Sequence, residues 1–235
     1  MENRVIIGGL QKFSLIDYPH KISAIIFTIG CNMRCPYCHN PELVDPKIYA
    51  EKIPEKDVFE FLQSRREKLD AVEITGGEPT LHKDLYQFIS KIKSMGFLVK
   101  LDTNGTNPNI LNKLIKDNLL NYIAMDIKGS LDRYEEIIRT KVDLEKIKES
   151  IKIILNLQKS VGKEFRTTVL PKFHNDEEIH KIGKLIAGVK LFVLQKFTTT
   201  KTLDLNFLKE KQFSDDQMLK FKNILENYVQ ECLIR

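Results

Sequence analysis

Cys31-Asn32-Met33-Arg34-Cys35-Pro36-Tyr37-Cys38 places three thiols within eight residues, spaced C-x3-C-x2-C, directly after an apolar run at 22–27. Cysteine thiolates are soft donors that suit iron–sulfur clusters or zinc. A cubane held by only three of them leaves one iron open to a small molecule, and an open metal position implies chemistry rather than scaffolding. His39 follows at once, so a zinc module with three cysteines and one histidine is the competing, non-enzymatic reading. Adjacent residues rarely both reach one ion, which favours a supporting role for His39.

Outward from that loop, β-rich apolar runs recur at 22–27, 71–75, 98–102, 122–127, 165–170 and 190–197. Segments of helical period lie between them. Leu85, Phe88, Ile89 and Ile92 fall at i, i+3, i+4 and i+7 with Gly96 as a stop; Val58, Phe61 and Leu62 mark a second helix. Ile110, Leu111, Leu114 and Ile115 mark a third, and Ile147, Ile151, Ile154 and Leu155 a fourth. Asn175 with Glu178, and Ser214 with Gln217, read as capping boxes, and Asn107-Pro108 as another helix start. Strict alternation predicts a parallel sheet with right-handed crossovers. The pattern alone leaves an open doubly wound sheet and an incomplete barrel equally available.

A chain of 235 residues suits a single domain, 1–235, with a lead-in over 1–20 and a C-terminal helix over about 214–233. Its 37 basic and 32 acidic residues are scattered, so the net charge of +5 reads as a solvated surface and argues against a nucleic-acid partner. The first ten residues lack a secretory core, and no apolar run is long enough for a membrane span, which predicts a cytoplasmic protein. Four cysteines, three of them clustered, do not form a disulfide framework. Cys232 falls on the apolar stripe of the last helical segment and reads as a buried core thiol.

Every candidate motif falls at the end of a predicted strand, where loops of parallel α/β folds converge on one face. Cys31, Cys35 and Cys38 follow the first strand and Gly76-Gly77-Glu78-Pro79 the second. Asp102-Thr103-Asn104-Gly105 closes the third and Met125-Asp126-Ile127-Lys128 the fourth. Read singly, the glycine pair is a tight turn, the Asp-Thr pair a strand-ending turn and Asp126 with Lys128 a salt pair. Beside a cysteine loop, glycines also let backbone approach a ligand closely.

The cysteine spacing, with an aromatic residue before the third thiol, resembles the signature of the radical S-adenosylmethionine superfamily. That resemblance implies a partial (β/α)6 TIM-type barrel of parallel strands. It implies a [4Fe-4S] cluster on Cys31, Cys35 and Cys38 whose open iron chelates S-adenosylmethionine, with Tyr37 near the adenine. Gly76, Gly77 and Glu78 match the motif that meets the methionine amine. Asp102, Thr103, Met125 through its carbonyl, and Asp126 match the cation-binding pairs of pyruvate formate-lyase activating enzyme, which implies a monovalent cation. Lys128 is then placed at the cosubstrate carboxylate and Arg166, near the start of the fifth strand, close to the cosubstrate. Those activators carry a histidine on the sixth strand where this chain reads Val193-Leu194-Gln195-Lys196-Phe197.

The segment from Ile6 through Pro19, followed by Cys-Asn-Met-Arg-Cys-Pro-Tyr-Cys-His-Asn-Pro-Glu-Leu, resembles the anaerobic ribonucleoside-triphosphate reductase activating proteins over nearly the whole chain. What that implies is an oxidoreductase that cleaves S-adenosylmethionine reductively and places a glycyl radical on the reductase. The electron would come from a flavodoxin- or ferredoxin-type donor. Asp17 becomes a substrate contact, its plain alternative being a turn residue before the strand. A pyruvate formate-lyase type activase and a radical enzyme acting on a small metabolite are the alternatives within the family. With no cysteine-rich insert, one cluster is expected.

Overall fold

The computed structural model describes residues 5–235, so the first four residues of the predicted lead-in lie outside it. The rest of that lead-in is not a plain approach segment: Ile7–Ser14 forms a strand, β1, antiparallel to β2 (Ser23–Thr28). After β2 come two helices, α1 (Pro41–Val44) and α2 (Glu55–Gln63), then β3 (Ala71–Gly76). The chain continues through α3 (Leu85–Ser94), β4 (Leu98–Thr103), α4 (Pro108–Lys116) and β5 (Tyr122–Asp126). Next are α5 (Tyr134–Ile138), α6 (Leu144–Leu155), β6 (Gly162–Val169) and α7 (Asp176–Leu185). β7 (Leu191–Lys196), α8 (Asp215–Leu225) and β8 (Glu231–Ile234) complete it.

The eight strands form one sheet in the order β1 to β8, and every pairing from β2 onward is parallel. This settles the choice the sequence pattern left open. A doubly wound sheet reverses its strand order part-way; here the order is monotonic, so right-handed crossovers leave all helices on one face and the sheet curls around the other. β1 and β8 are the two edges, and the barrel is partial.

The six predicted strands all form, five of them within a residue of the expected ends; β6 starts three residues earlier than expected, at Gly162. Two more exist at the edges, and the C-terminal helix is shorter than expected: α8 stops at Leu225, and Cys232 sits on β8. The thiol is nonetheless fully buried, as its apolar neighbours imply. A period-3.6 stripe and a short edge strand share apolar positions over so few residues, so the sequence pattern alone does not separate them.

The helices bury the expected stripes, with one shift. In α2 Phe59 is buried and Phe61 lies at the core's margin, where Arg65 stacks over it. Ser214 caps α8 through Gln217 N–H at 3.2 Å, and Asn175 caps α7 through Glu178 N–H at 2.9 Å. The Glu178 carboxylate does not complete a box. It accepts instead from Ser130, from its N–H at 2.5 Å and its hydroxyl at 2.8 Å, and so ties α7 to the loop after β5.

Alternation along the strands sorts the two faces. Val72, Ile74, Val99, Leu101 and Phe165 join the apolar layer under the helices. Glu73, Lys100, Asp102, Glu164 and Arg166 point into the barrel as a connected set of polar side chains, all but the part-buried Arg166 fully enclosed.

Candidate active site

The loops after β2, β3, β4 and β5 converge, as their strand-end positions require, around a cavity of about 230 Å³. Cys31, Cys35 and Cys38 line one side, Gly76, Gly77 and Glu78 a second, and Asp102, Asp126, Lys128 and Arg166 the floor. Tyr37, Thr103 and Gln195 also border it.

Gly76 and Gly77 serve the cysteine loop. Gly76 has φ +111, and a Cβ on Gly77 would lie 2.1 Å from the Gly30 carbonyl oxygen. The close approach demanded of these glycines is therefore to the backbone of Thr28 and Gly30: Gly77 N–H donates to Thr28 at 2.8 Å and Glu78 N–H to Gly30 at 2.7 Å. In sequence alone that approach reads as one made to a ligand.

The Glu78 carboxylate is engaged entirely within the protein. It accepts from Thr80 N–H at 3.1 Å and from the Thr80 hydroxyl, from Thr103 Oγ1 at 2.8 Å and from Asn104 N–H at 2.6 Å. It thereby stitches the loop after β3 to the loop after β4. Burial raises its carboxyl above the ordinary range, against these donors. Asn104, which in sequence reads only as part of a strand-ending turn, extends the stitch to the cysteine loop: Nδ2 donates to Asn32 Oδ1 at 2.9 Å and lies 4.0 Å from Cys31 Sγ.

The floor is ionic. Arg166 reaches Asp102 Oδ2 through Nη1 and Asp126 Oδ1 through Nε, both at 2.9 Å. Lys128 Nζ holds the other Asp126 oxygen at 3.0 Å, and Lys100 lies 3.3 Å from Asp102 and 3.1 Å from Glu73. Burial raises the Asp126 carboxyl, but Arg166 and Lys128 outweigh it and hold that group well below the usual range. Asp102 is lowered in the same way by Arg166 and Lys100. Burial and the Asp102 carboxylate push Glu73 up to about 9 despite Lys100. The Asp102 and Asp126 carboxylates are thus the charged acids of the floor, met by Lys100, Lys128 and Arg166.

The four residues expected around a monovalent cation are not gathered as a cation site. The Asp102 and Asp126 carboxylates are bridged by the Arg166 guanidinium, and Thr103 Oγ1 is engaged by Glu78 and Gly105 N–H. Met125 lies inside β5, paired with Thr103 on β4 and Phe165 on β6. A side-chain cation occupies the position between the two acids. Arg166 itself sits mid-strand in β6, further along than predicted.

Asp17 is not brought to this cavity. It lies in the β1–β2 connection at the opposite end of the barrel, where its carbonyl accepts from Lys100 Nζ at 2.6 Å and its carboxylate from Ser14. His39 is engaged elsewhere than with the thiols: its ring stacks on Phe197 at 5.6 Å, and Nε2 meets the Thr198 carbonyl at 2.9 Å. Among the described residues no three His, Cys, Asp or Glu side chains converge as ligands of a single ion.

Two features of the cavity are open to a guest. Tyr37 is buried against Phe173 and Phe197, and its hydroxyl has no hydrogen-bond partner among the described residues. The thiols are free; burial pushes Cys31 up to about 11 and Cys35 up to about 12, and raises Cys38. Desolvated thiols of this kind are inert as nucleophiles and become thiolates when a metal binds.

A partial barrel with three free thiols at its strand ends is a scaffold for cluster-based radical chemistry. Residues 25–186 match the Radical SAM superfamily, and the chain belongs to it. A Methanocaldococcus jannaschii protein with the provisional name glycyl-radical enzyme activating enzyme is 37% identical over 99% of this chain and 96% of its own. A second protein of that organism and provisional name is 31% identical over 95% and 84%. A domain of pyruvate-formate lyase-activating enzyme from Bacteroides vulgatus superposes with a TM-score of 0.56 at 16% identity, covering 70% of this chain and 98% of that domain, a likeness of fold. The superfamily works with a [4Fe-4S] cluster and S-adenosylmethionine. The soft donor set and the orphaned Tyr37 hydroxyl beside it fit that pair of cofactors.

Proposed function

We propose that this chain is a glycyl-radical activating enzyme whose target is an anaerobic ribonucleoside-triphosphate reductase. The observation that carries the activase reading is the end-to-end relation to the M. jannaschii proteins, combined here with a thiol cavity at the strand ends. The reductase is the finer part of the proposal and rests on the motif resemblance from Ile6 to Leu43. A pyruvate formate-lyase type partner is the competing target.

In this reading Cys31, Cys35 and Cys38 are the cluster ligands and leave one coordination position to the cosubstrate. Bound there, the cluster and S-adenosylmethionine supply a carbon radical by one-electron cleavage. The protein's own side chains bind and orient. Tyr37 borders the adenine with its free hydroxyl. The backbone of Gly76 and Gly77 walls the amine side, held in place by the Glu78 carboxylate. Lys128, the floor cation whose charge bears on all three thiols, takes the cosubstrate carboxylate. Arg166 keeps Asp102 and Asp126 ionised and paired beneath it. Phe173 and Phe197 exclude water around Tyr37.

Residues 1–235 are read as one domain, supported by a core of buried apolar side chains continuous from Val5 to Cys232. A cytoplasmic setting and a flavodoxin- or ferredoxin-type donor complete the proposal. Among the described residues no helix is long and apolar enough to cross a membrane.

The test is anaerobic incubation of the reconstituted, reduced protein with S-adenosylmethionine and candidate glycyl-radical enzymes. A glycyl signal in electron paramagnetic resonance on the reductase supports the assignment. A signal only on a formate-lyase type partner replaces the target, and cosubstrate cleavage with a radical on neither removes the activase reading.

A further inference from the structure

The loop between Cys31 and Cys35 carries a cation of its own. Arg34 donates through Nη1 to the carbonyl oxygens of Cys31 at 2.6 Å and Met33 at 2.8 Å. Its main-chain N–H donates to the Ile138 carbonyl at 2.9 Å, which seats the loop on the end of α5. The side chain is half-buried, and among the described residues it makes no ion pair. The other cations beside the thiols are neutralised: Lys128 by Asp126, and Arg166 by Asp102 and Asp126.

A neutral donor closes a loop on two carbonyls as well as a guanidinium does. What Arg34 adds is a full positive charge, partly desolvated, fixed to the main chain of a cysteine ligand and cancelled by no carboxylate. Charge in that position acts on whatever net charge the thiol-bound group carries. When a one-electron donor reduces the cluster, the negative charge grows by one unit, and a fixed cation stabilises the reduced form over the oxidised one. The N–H of Met33, 3.4 Å from Cys31 Sγ, acts in the same direction with a dipole rather than a charge.

We propose that Arg34 sets the reduction potential of the cluster, holding it within reach of a one-electron carrier. It is a positioning residue that acts through Cys31 and touches no reacting atom. The inference rests on the assignment of Cys31, Cys35 and Cys38 as the cluster ligands.

The test compares the wild type with Arg34→Gln, Arg34→Met and Arg34→Lys. Each is reconstituted without oxygen, assayed for iron, and titrated with dithionite at fixed solution potentials while paramagnetic resonance reports the reduced fraction. The neutral variants are expected to keep their iron and to show roughly a tenfold lower ratio of reduced to oxidised cluster, a shift of about 59 mV for one electron. Arg34→Lys keeps the charge and is expected to titrate close to the wild type. An unchanged potential in the neutral variants overturns the proposal, as does an Arg34→Lys shift equal to theirs. Loss of iron in every neutral variant but not in Arg34→Lys also overturns it, since Arg34 is then a clamp on the loop. A wild-type chain that takes up no iron removes the ligand assignment itself, a failure distinct from an unmoved potential.

Discussion

The two sides of the cavity differ in what remains available. On the floor, the Asp102 and Asp126 carboxylates are bound to Arg166, Lys128 and Lys100, and the Glu73 carboxyl also meets Lys100. On the cysteine side the loop is just as firmly placed, by Gly30, Glu78 and Asn104, yet its three sulfurs and the Tyr37 hydroxyl lack strong partners. One wall is a finished electrostatic structure and the other is a set of donors. A ligand-bearing site needs both, because ligands are useful only where the surroundings hold them still.

The largest effect should come from the donor wall. Cys35→Ala is expected to reduce bound iron from about four atoms per chain to a small fraction and to abolish reductive cleavage of S-adenosylmethionine. Iron analysis and detection of 5'-deoxyadenosine check this, and cleavage at wild-type rates would erase the contrast between the two walls.

Breaking the floor should cost stability. Arg166→Met takes from Asp102 and Asp126 the guanidinium they share and leaves them only Lys100 and Lys128, and about 3 kcal/mol of stability is expected to be lost in denaturant titration. A loss of under about 1 kcal/mol would show that the floor is not the closed ionic unit described. Gly77→Ala tests the seam between the walls: its methyl meets the Gly30 carbonyl, and about 1–3 kcal/mol is expected to be lost.

The smallest effect is a pH dependence with opposite signs on one floor. Glu73 binds its proton more tightly folded than unfolded, so its contribution is full below about pH 4.5 and is lost as pH rises through about 9. Asp126 and Asp102 are depressed, so theirs is present above the unfolded carboxylate range and is lost as pH falls through their lower folded values. Glu73→Gln is therefore expected to flatten the alkaline loss of stability and leave the acid limb unchanged. Thermal melting across pH 3 to about 10 reads both limbs; a wild-type alkaline slope in the variant would contradict the raised carboxyl.

Much of this was legible in the sequence because its signals are local. Apolar runs placed six strands, and motifs at their ends placed the cavity. β1 and β8 were missed because an edge strand buries too little to show a clear period. The floor was half-read. Asp102, Asp126, Lys128 and Arg166 were singled out, but their pairing was not, because a side chain's partner on another strand is set by register. Glu73, Lys100 and Glu164 carried a usable signal: charges at alternate positions of otherwise apolar strands. The Glu78 carboxylate turns inward to the protein, which only the fold reveals. Asp17 and the expected cation were carried over by motif, and the geometry engages the same atoms otherwise.

The central claim is that Cys31, Cys35 and Cys38 hold a cluster with one coordination position left to a small molecule. Electron–nuclear double resonance on the reduced protein, with S-adenosylmethionine labelled by nitrogen-15 at its amine, tests it most directly. A nitrogen coupling that appears on adding the labelled compound is the result this account requires; a spectrum unchanged by it, with every metal position already held by side chains, would contradict it.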